Sequence, residues 1–196
     1  MRRILALAAM LAAGGVAAPA LAHTGVGATH GLAHGFLHPL NGLDHMLAMV
    51  AVGLYAAQLG GRSLWMLPLA FVGTMLGGGL LGYAGVPMPM VEPGIALSVI
   101  AMGAAIALGV RLPAAAATVL VAAFALAHGH AHGSEGTSLA AFLPYATGFV
   151  AATALLHCAG IAIGLTLDRL GAFPAIVLKR AAGVAGMVAG IALLAG

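Results

Sequence analysis

The chain alternates long apolar stretches with short glycine-rich or polar segments, and this pattern predicts a bundle of membrane-spanning helices. The stretches lack the alternation at every second residue that marks the strands of a membrane β-barrel. A span needs about 20 apolar residues, so the fourth stretch has to continue into the histidines that follow it to reach that length. The six predicted spans are Phe36–Leu59, Leu64–Ala84, Gly94–Val110, Pro113–Ala127, Leu139–Leu165 and Pro174–Ala195.

Residues 1–22 have the pattern of a secretory signal peptide. Two arginines precede an apolar run that ends at Ala18, and residues 20–22 (Ala-Leu-Ala) form a small-residue cleavage site. A first membrane helix that stays attached is the alternative, which the shortness of the apolar run disfavours. Cleavage would leave residues 23–35 as a histidine-containing periplasmic segment, followed by a six-helix transmembrane domain over residues 36–196.

The basic residues predict the orientation of the bundle. After signal-peptide removal, the loops that follow the first, third and fifth spans hold the arginines, whereas the outer loops 85–93 and 129–138 contain no Lys or Arg. This asymmetry matches the positive-inside rule and predicts that both termini lie outside the inner membrane of a bacterium. The basic residues on the cytoplasmic side are Arg62, Arg111, Arg169, Lys179 and Arg180.

Composition supports a bilayer as the surroundings of the chain. It is 63% hydrophobic and only 6% charged, whereas a soluble domain carries about 25% charged residues. No basic run is dense enough to follow nucleic acid. The single cysteine, Cys158, excludes an internal disulfide. Neither a phosphate-binding motif nor a prosthetic-group motif is present, and the sequence leaves open whether copies associate.

Glycine pairs at four-residue spacing recur in the predicted spans. Small residues on one face of a helix let backbones approach closely, so packing is the favoured interpretation; a hinge for alternating access is the alternative. The pairs are Gly73/Gly77, Gly78/Gly82, Gly160/Gly164 and Gly186/Gly190.

The candidate chemistry lies in the histidines, nine of them against four acids. Ionisable groups at membrane depth are costly and indicate a functional site, and imidazole with carboxylate binds divalent transition metals. His38 and His45 share a face of a straight helix about 10 Å apart, which Pro39 and Gly42 would shorten by a bend. Asp44 would bind the ion, hold a ligating imidazole in one tautomer, or simply cap backbone amides.

A second cluster follows the fourth span. His128 and His132 are four residues apart and therefore share a helix face at ligand spacing. His130 and Glu135 are secondary candidates, for which a solvated histidine-rich loop is an equal alternative.

A third candidate, His157, lies inside the fifth span and is either a ligand or an interhelical hydrogen-bonding residue. Thr153, one turn earlier, is expected to hold one of its ring nitrogens. Further secondary candidates are a soft ligand one turn after His45 and three histidines that would capture metal outside: Met49, His23, His30 and His34.

These residues resemble the HupE/UreJ family of nickel and cobalt permeases. The likeness rests on His-Pro-x-x-Gly-x-Asp-His-x-x-Ala-Met-x-x-Val-Gly at residues 38–53, on His-Gly-x-Ala-His-Gly-x-Glu at 128–135, and on Leu-His-x-x-Gly at 156–160. The resemblance implies uptake of nickel or cobalt, often for nickel enzymes such as hydrogenase or urease.

We therefore expect a secondary permease, not an enzyme, that passes a divalent metal ion along the histidines. An intramembrane zinc hydrolase is the alternative, with His38 or His45, His128 and His157 around one ion and Asp44 as the base. A metal-storage or sensing subunit is a third hypothesis, and it would bind metal without transporting it.

Overall fold

The computed structural model describes residues 31–134 and 138–195, and the regular structure in these ranges is entirely α-helical. The predicted signal peptide and the candidates His23, His30 and Glu135 lie outside the described residues. The all-α prediction is confirmed for the described part. Its helices are α1 (Gly31–Asn41), α2 (Leu43–Leu59), α3 (Ser63–Tyr83), α4 (Val91–Ala107), α5 (Ala114–Ser134), α6 (Leu139–Asp168) and α7 (Ala172–Ala195).

Four of these helices, α3, α5, α6 and α7, are long and apolar enough to cross a membrane. The pair α1 and α2 makes a fifth span if it is counted as one, although it bends by 79°. Helix α4 is apolar but has only 17 residues. The chain is thus a multi-pass membrane protein by the length and composition of its helices, and the count of six spans stays a prediction. The predicted extension of the fourth span is confirmed, because α5 runs unbroken through His128 to Ser134.

The bend between α1 and α2 lies at Gly42. Pro39 has no N–H for the helix ladder, and the backbone of Gly42 is extended, with φ −86° and ψ 112°. The Gly42 N–H still bonds the carbonyl of His38 at 3.1 Å, and its own carbonyl begins α2. The predicted bend is therefore present. Helix α1 begins at Gly31, within the segment that had been assigned to the periplasm.

Glycines bring the helices that carry the histidines into backbone contact. A Cβ added to Gly129 of α5 would overlap the carbonyl oxygen of Met75 on α3, and one added to Gly53 of α2 would overlap that of His157 on α6. A Cβ added to Gly35 of α1 would likewise overlap the carbonyl oxygen of Tyr145 on α6. These contacts bring α1 and α2 close to α6, and α5 close to α3. They therefore fix the relative positions of the histidines on those helices.

The packing interpretation of the glycine pairs is confirmed for some and wrong for others. Gly78 and Gly82 face the backbone of α5, and Gly160 faces that of α2. By contrast, a Cβ at Gly73 or Gly77 would meet no atom within 4 Å. Spacing along one helix shows which glycines share a face, but it does not show whether another helix covers that face.

The opposite end of the bundle holds the basic residues. The side-chain amide of Gln58 donates to the carbonyls of Ala105 and Val110 at 3.3 and 3.1 Å, and so ties α2 to the end of α4. Lys179 is buried and pairs with Asp168 at 2.7 Å. Helix α7 is continuous from Ala172, so Lys179 and Arg180 lie within it.

Candidate metal-ion site

The bend places Asp44 in the first turn of α2, directly before His45. One carboxylate oxygen, Oδ1, accepts both the backbone N–H of His45 and its ring Nδ1–H, each at 2.8 Å. Of the alternatives for Asp44, a bond to a backbone amide and a hold on an imidazole are therefore both present. The second bond matters more for chemistry. A carboxylate only accepts, so Nδ1 of His45 carries the hydrogen and Nε2 carries the lone pair.

That lone pair faces a histidine from α5. Nε2 of His132 lies 2.6 Å from Nε2 of His45, so the hydrogen between them belongs to His132. The phenol oxygen of Tyr145 lies 3.4 Å from the other ring nitrogen of His132. Donation thus runs from Tyr145 through His132 and His45 to Asp44, and it joins α6, α5 and α2.

His34 and His38 extend this contact outward along α1. The ring of His38 lies 4.6 Å from that of His132 and 6.1 Å from that of His45, centroid to centroid. The ring of His34, one turn earlier, is 6.0 Å from that of His38. His34 is exposed and His38 is half-buried, whereas His45 and His132 are buried. The bend has brought His38 and His45 closer than a straight helix would allow.

His128 extends these ring contacts toward the buried interior. It lies one turn before His132 on α5, is fully buried, and its ring centroid is 4.9 Å from that of His45. Its Nε2 is 2.9 Å from the hydroxyl oxygen of Ser98 on α4, and its Nδ1 has no hydrogen-bond partner. The shared face predicted for His128 and His132 is confirmed, because both rings contact His45.

His157 lies one aromatic ring further in. Phe71 contacts both His128 and His157, with ring centroids 5.5 and 5.0 Å away. His157 is buried, and neither of its ring nitrogens has a partner. Thr153 does not make the predicted bond to His157. Its hydroxyl bonds the sulfur of Met75 at 3.9 Å instead. His157 also lines an open apolar groove of about 340 Å³ between α3 and α6.

Two secondary candidates lie apart from this row. Nε2–H of His130 donates to the backbone carbonyl of Val86 at 2.7 Å, so that nitrogen is already engaged with the loop before α4. Met49 is fully buried in the hydrophobic core one turn after His45.

Five histidines contact one another in turn, and Phe71 joins the last of them to His157. We call this set the histidine row: His34, His38, His132, His45, His128 and His157. The family model described as "HupE / UreJ protein" matches residues 9–193. The chain belongs to the HupE/UreJ family. The resemblance inferred from the motifs is thereby confirmed.

A relative in this family, "Protein HupE" of Rhizobium leguminosarum bv. viciae, is 46% identical over 182 residues, which covers 92% of this chain and 94% of the relative. No solved structure matches the chain.

The row of this HupE/UreJ chain consists of neighbouring pairs. Within the ranges that the structure describes, no group of three His, Cys, Asp or Glu side chains is arranged to hold a metal ion. A cavity of about 20 Å³ beside His132, lined also by Met75 and Phe149, has room for about one water molecule. Imidazoles that are graded from exposed at His34 to buried at His128 and His157 suit successive weak contacts with an ion.

Two residues of the site were missed by sequence reasoning, Ser98 and Tyr145. Ser98 is the one hydroxyl residue in the third predicted span, and an isolated polar side chain in an apolar span was a usable signal. Tyr145 gave no such signal, because tyrosines near span ends commonly anchor helices at the membrane interface.

Proposed function

We propose that this protein is a secondary permease that imports a divalent transition metal ion, nickel or cobalt, and supplies nickel enzymes such as hydrogenase or urease. One observation carries the proposal: histidines from α1, α2, α5 and α6 form one row from the surface to the buried interior. Family membership supports it, since HupE/UreJ proteins are associated with uptake of these metals.

The membrane potential and the incomplete ligand sets of the row both favour passage of a metal ion over its storage. An ion entering against a negative interior gains about 2.3 kcal/mol per charge per 100 mV, and a divalent ion about twice that. Release requires incomplete ligand sets, because a closed cage of protein ligands retains its metal. Pairs such as His45 with His132 offer two nitrogens and leave the remaining positions to water or to the next histidine.

The proposed orientation puts the histidine row at the outer side of the inner membrane. The row begins at His34 in α1, and the basic end with Lys179 lies at the opposite end of the bundle. The positive-inside rule would place that basic end in the cytoplasm. Nickel or cobalt would then enter from the periplasm. The primary ligands would be His38, His45, His128, His132 and His157, with Asp44 acting by orienting His45.

Radioactive nickel uptake into proteoliposomes with an imposed potential tests this function. Wild-type protein should accumulate nickel, and His45→Ala should abolish most of the uptake, because it removes the nitrogen that faces His132. His130→Gln is the matched control: it alters a histidine outside the row and keeps a donor for the carbonyl of Val86.

The same assay separates the alternatives. Nickel binding without accumulation would favour a storage or sensing subunit and overturn the permease proposal. Equal uptake by wild type and His45→Ala would also overturn it. An intramembrane hydrolase would instead require zinc-dependent peptide cleavage that is lost when Asp44 is replaced.

A further inference from the structure

Ser98 of α4 determines which nitrogen of His128 carries a hydrogen. The Ser98 hydroxyl has one hydrogen and two acceptor lone pairs. Its oxygen lies 2.6 Å from the carbonyl oxygen of Ile95. Two oxygens at that distance repel unless a hydrogen lies between them, so the Ser98 hydrogen is directed to Ile95. The hydroxyl oxygen therefore only accepts from Nε2 of His128, 2.9 Å away.

This assignment fixes the state of the other ring nitrogen. A neutral imidazole carries one hydrogen, and on His128 it is on Nε2. Nδ1 is then an exposed lone pair. It is fully buried and has no hydrogen-bond partner in the structure. A buried polar atom without a partner costs free energy unless a water or an ion satisfies it, so this nitrogen is suited to accept a transient ligand.

Asp44 acts on the neighbouring histidine in the same way. It holds the hydrogen of His45 on Nδ1, so Nε2 carries the lone pair that faces His132. Ser98 is thus the neutral counterpart, on another helix, of the carboxylate that orients His45. The two imidazoles that these residues orient are 4.9 Å apart, centroid to centroid.

We propose that Ser98 is a positioning residue for transport: it keeps Nδ1 of His128 free of hydrogen, so that this nitrogen accepts the metal ion passed on from His45. His157, which shares Phe71 with His128 and has two unpartnered nitrogens, is the next acceptor. The proposal rests on the permease function and adds a residue that the sequence motifs do not contain.

Uptake kinetics with variants of Ser98 test the proposal. Ser98→Ala removes the acceptor, lets His128 adopt either tautomer, and should lower nickel uptake at limiting concentration by about 10-fold, as losses of residues that orient metal ligands do. Ser98→Thr keeps the hydroxyl and should restore most of the rate. Ser98→Cys keeps a side chain of similar size that is a weaker acceptor, so its uptake rate should lie between those of Ser98→Ala and Ser98→Thr.

Thr118→Val is the matched control. The Thr118 hydroxyl bonds the carbonyl of Ala114 one turn earlier in α5, much as Ser98 bonds Ile95, but it is not bonded to a histidine. This variant should transport nickel like the wild type. A loss of uptake in Thr118→Val equal to that in Ser98→Ala would indicate a general need for buried hydroxyls and overturn the positioning role.

Nitrogen-15 NMR of labelled histidine in the purified full-length protein gives a readout that does not depend on transport. Wild type should show His128 with its hydrogen on Nε2, and Ser98→Ala should show a mixture of tautomers. A single unchanged tautomer in Ser98→Ala would overturn the proposal.

His128→Ala separates the two levels of inference. If it loses uptake while Ser98→Ala does not, the positioning role of Ser98 is wrong and the permease function stands. If His128→Ala also transports normally, the role of His128 in the proposed function itself fails.

Discussion

Nε2 of His45 and Nε2 of His132 lie 2.6 Å apart, although the two residues are 87 positions apart in the chain. The contact joins the start of α2 to the last turn of α5. A metal ion bound by both nitrogens would have to replace the hydrogen between them, because an imidazole ligand coordinates through a lone pair. The residues behind each ring therefore control the site as much as the rings do.

Replacing Asp44 tests whether its hydrogen bond to Nδ1 of His45 is needed for transport. Asp44→Ala should lower nickel uptake by about 10- to 100-fold, because the ring loses the acceptor that keeps its hydrogen on Nδ1. Asp44→Asn retains an acceptor oxygen without the charge and should lose less. Initial uptake rates in proteoliposomes measure both. Equal losses in the two variants would mean that the charge of the carboxylate, rather than its orientation of His45, is what transport requires.

The hydroxyl of Tyr145 should contribute modestly to the same site. When His132 gives its Nε2 lone pair to an ion, its hydrogen moves to Nδ1, beside the Tyr145 oxygen at 3.4 Å. A bond this long is weak, so Tyr145→Phe should reduce nickel affinity by about 2- to 5-fold. Titration calorimetry of the purified wild type and variant with nickel measures this change in affinity. A larger loss, above about 50-fold, would assign Tyr145 as a direct ligand instead.

We expect that transport requires glycine at position 42 because a larger residue would clash there, and not because the backbone needs the conformational freedom of glycine. Its φ of −86° is open to any residue, but a Cβ would come within 3.0 Å of the Asp44 carboxylate and 3.3 Å of Nδ1 of His45. Gly42→Ala should therefore reduce uptake several-fold while the protein still folds. Gly73→Ala is the control, since nothing lies within 4 Å of its added Cβ. Normal uptake by Gly42→Ala would show that the Asp44–His45 pair tolerates displacement.

The contact of Gly53 with the carbonyl of His157 predicts a stability effect. Gly53→Ala forces α2 away from α6 and should destabilise the protein by about 1–3 kcal/mol, the usual result of overpacking. Thermal unfolding in detergent measures the shift. Gly77→Ala, in open space within α3, should be neutral or slightly stabilising because alanine favours helix over glycine. A matching loss in both variants would argue against the close-contact explanation.

Much of the fold follows from local pattern. The apolar stretches specify helices because a membrane-embedded backbone has to satisfy its hydrogen bonds within each segment. The extension of α5 through His132 follows from span length, and the bend at Gly42 follows from the lost N–H of Pro39 and the weak helix propensity of glycine. The spacing of His128 and His132 places them on one face whatever surrounds them.

Which faces meet is a tertiary property. Helices that are apolar on every side do not reveal their neighbours, and the same four-residue glycine spacing is packed at Gly78 and open at Gly73. The sequence likewise does not reveal which residue a polar side chain will bond. Thr153 bonds Met75 rather than His157, and His128 bonds Ser98 on a different helix.

The sequence by itself therefore determined the helices, the bend and the set of candidate metal-binding side chains, because each depends on residues within a few positions of one another. Only the tertiary structure decided their order in the row and the residues that orient them, since those depend on close backbone contacts between helices far apart in the chain.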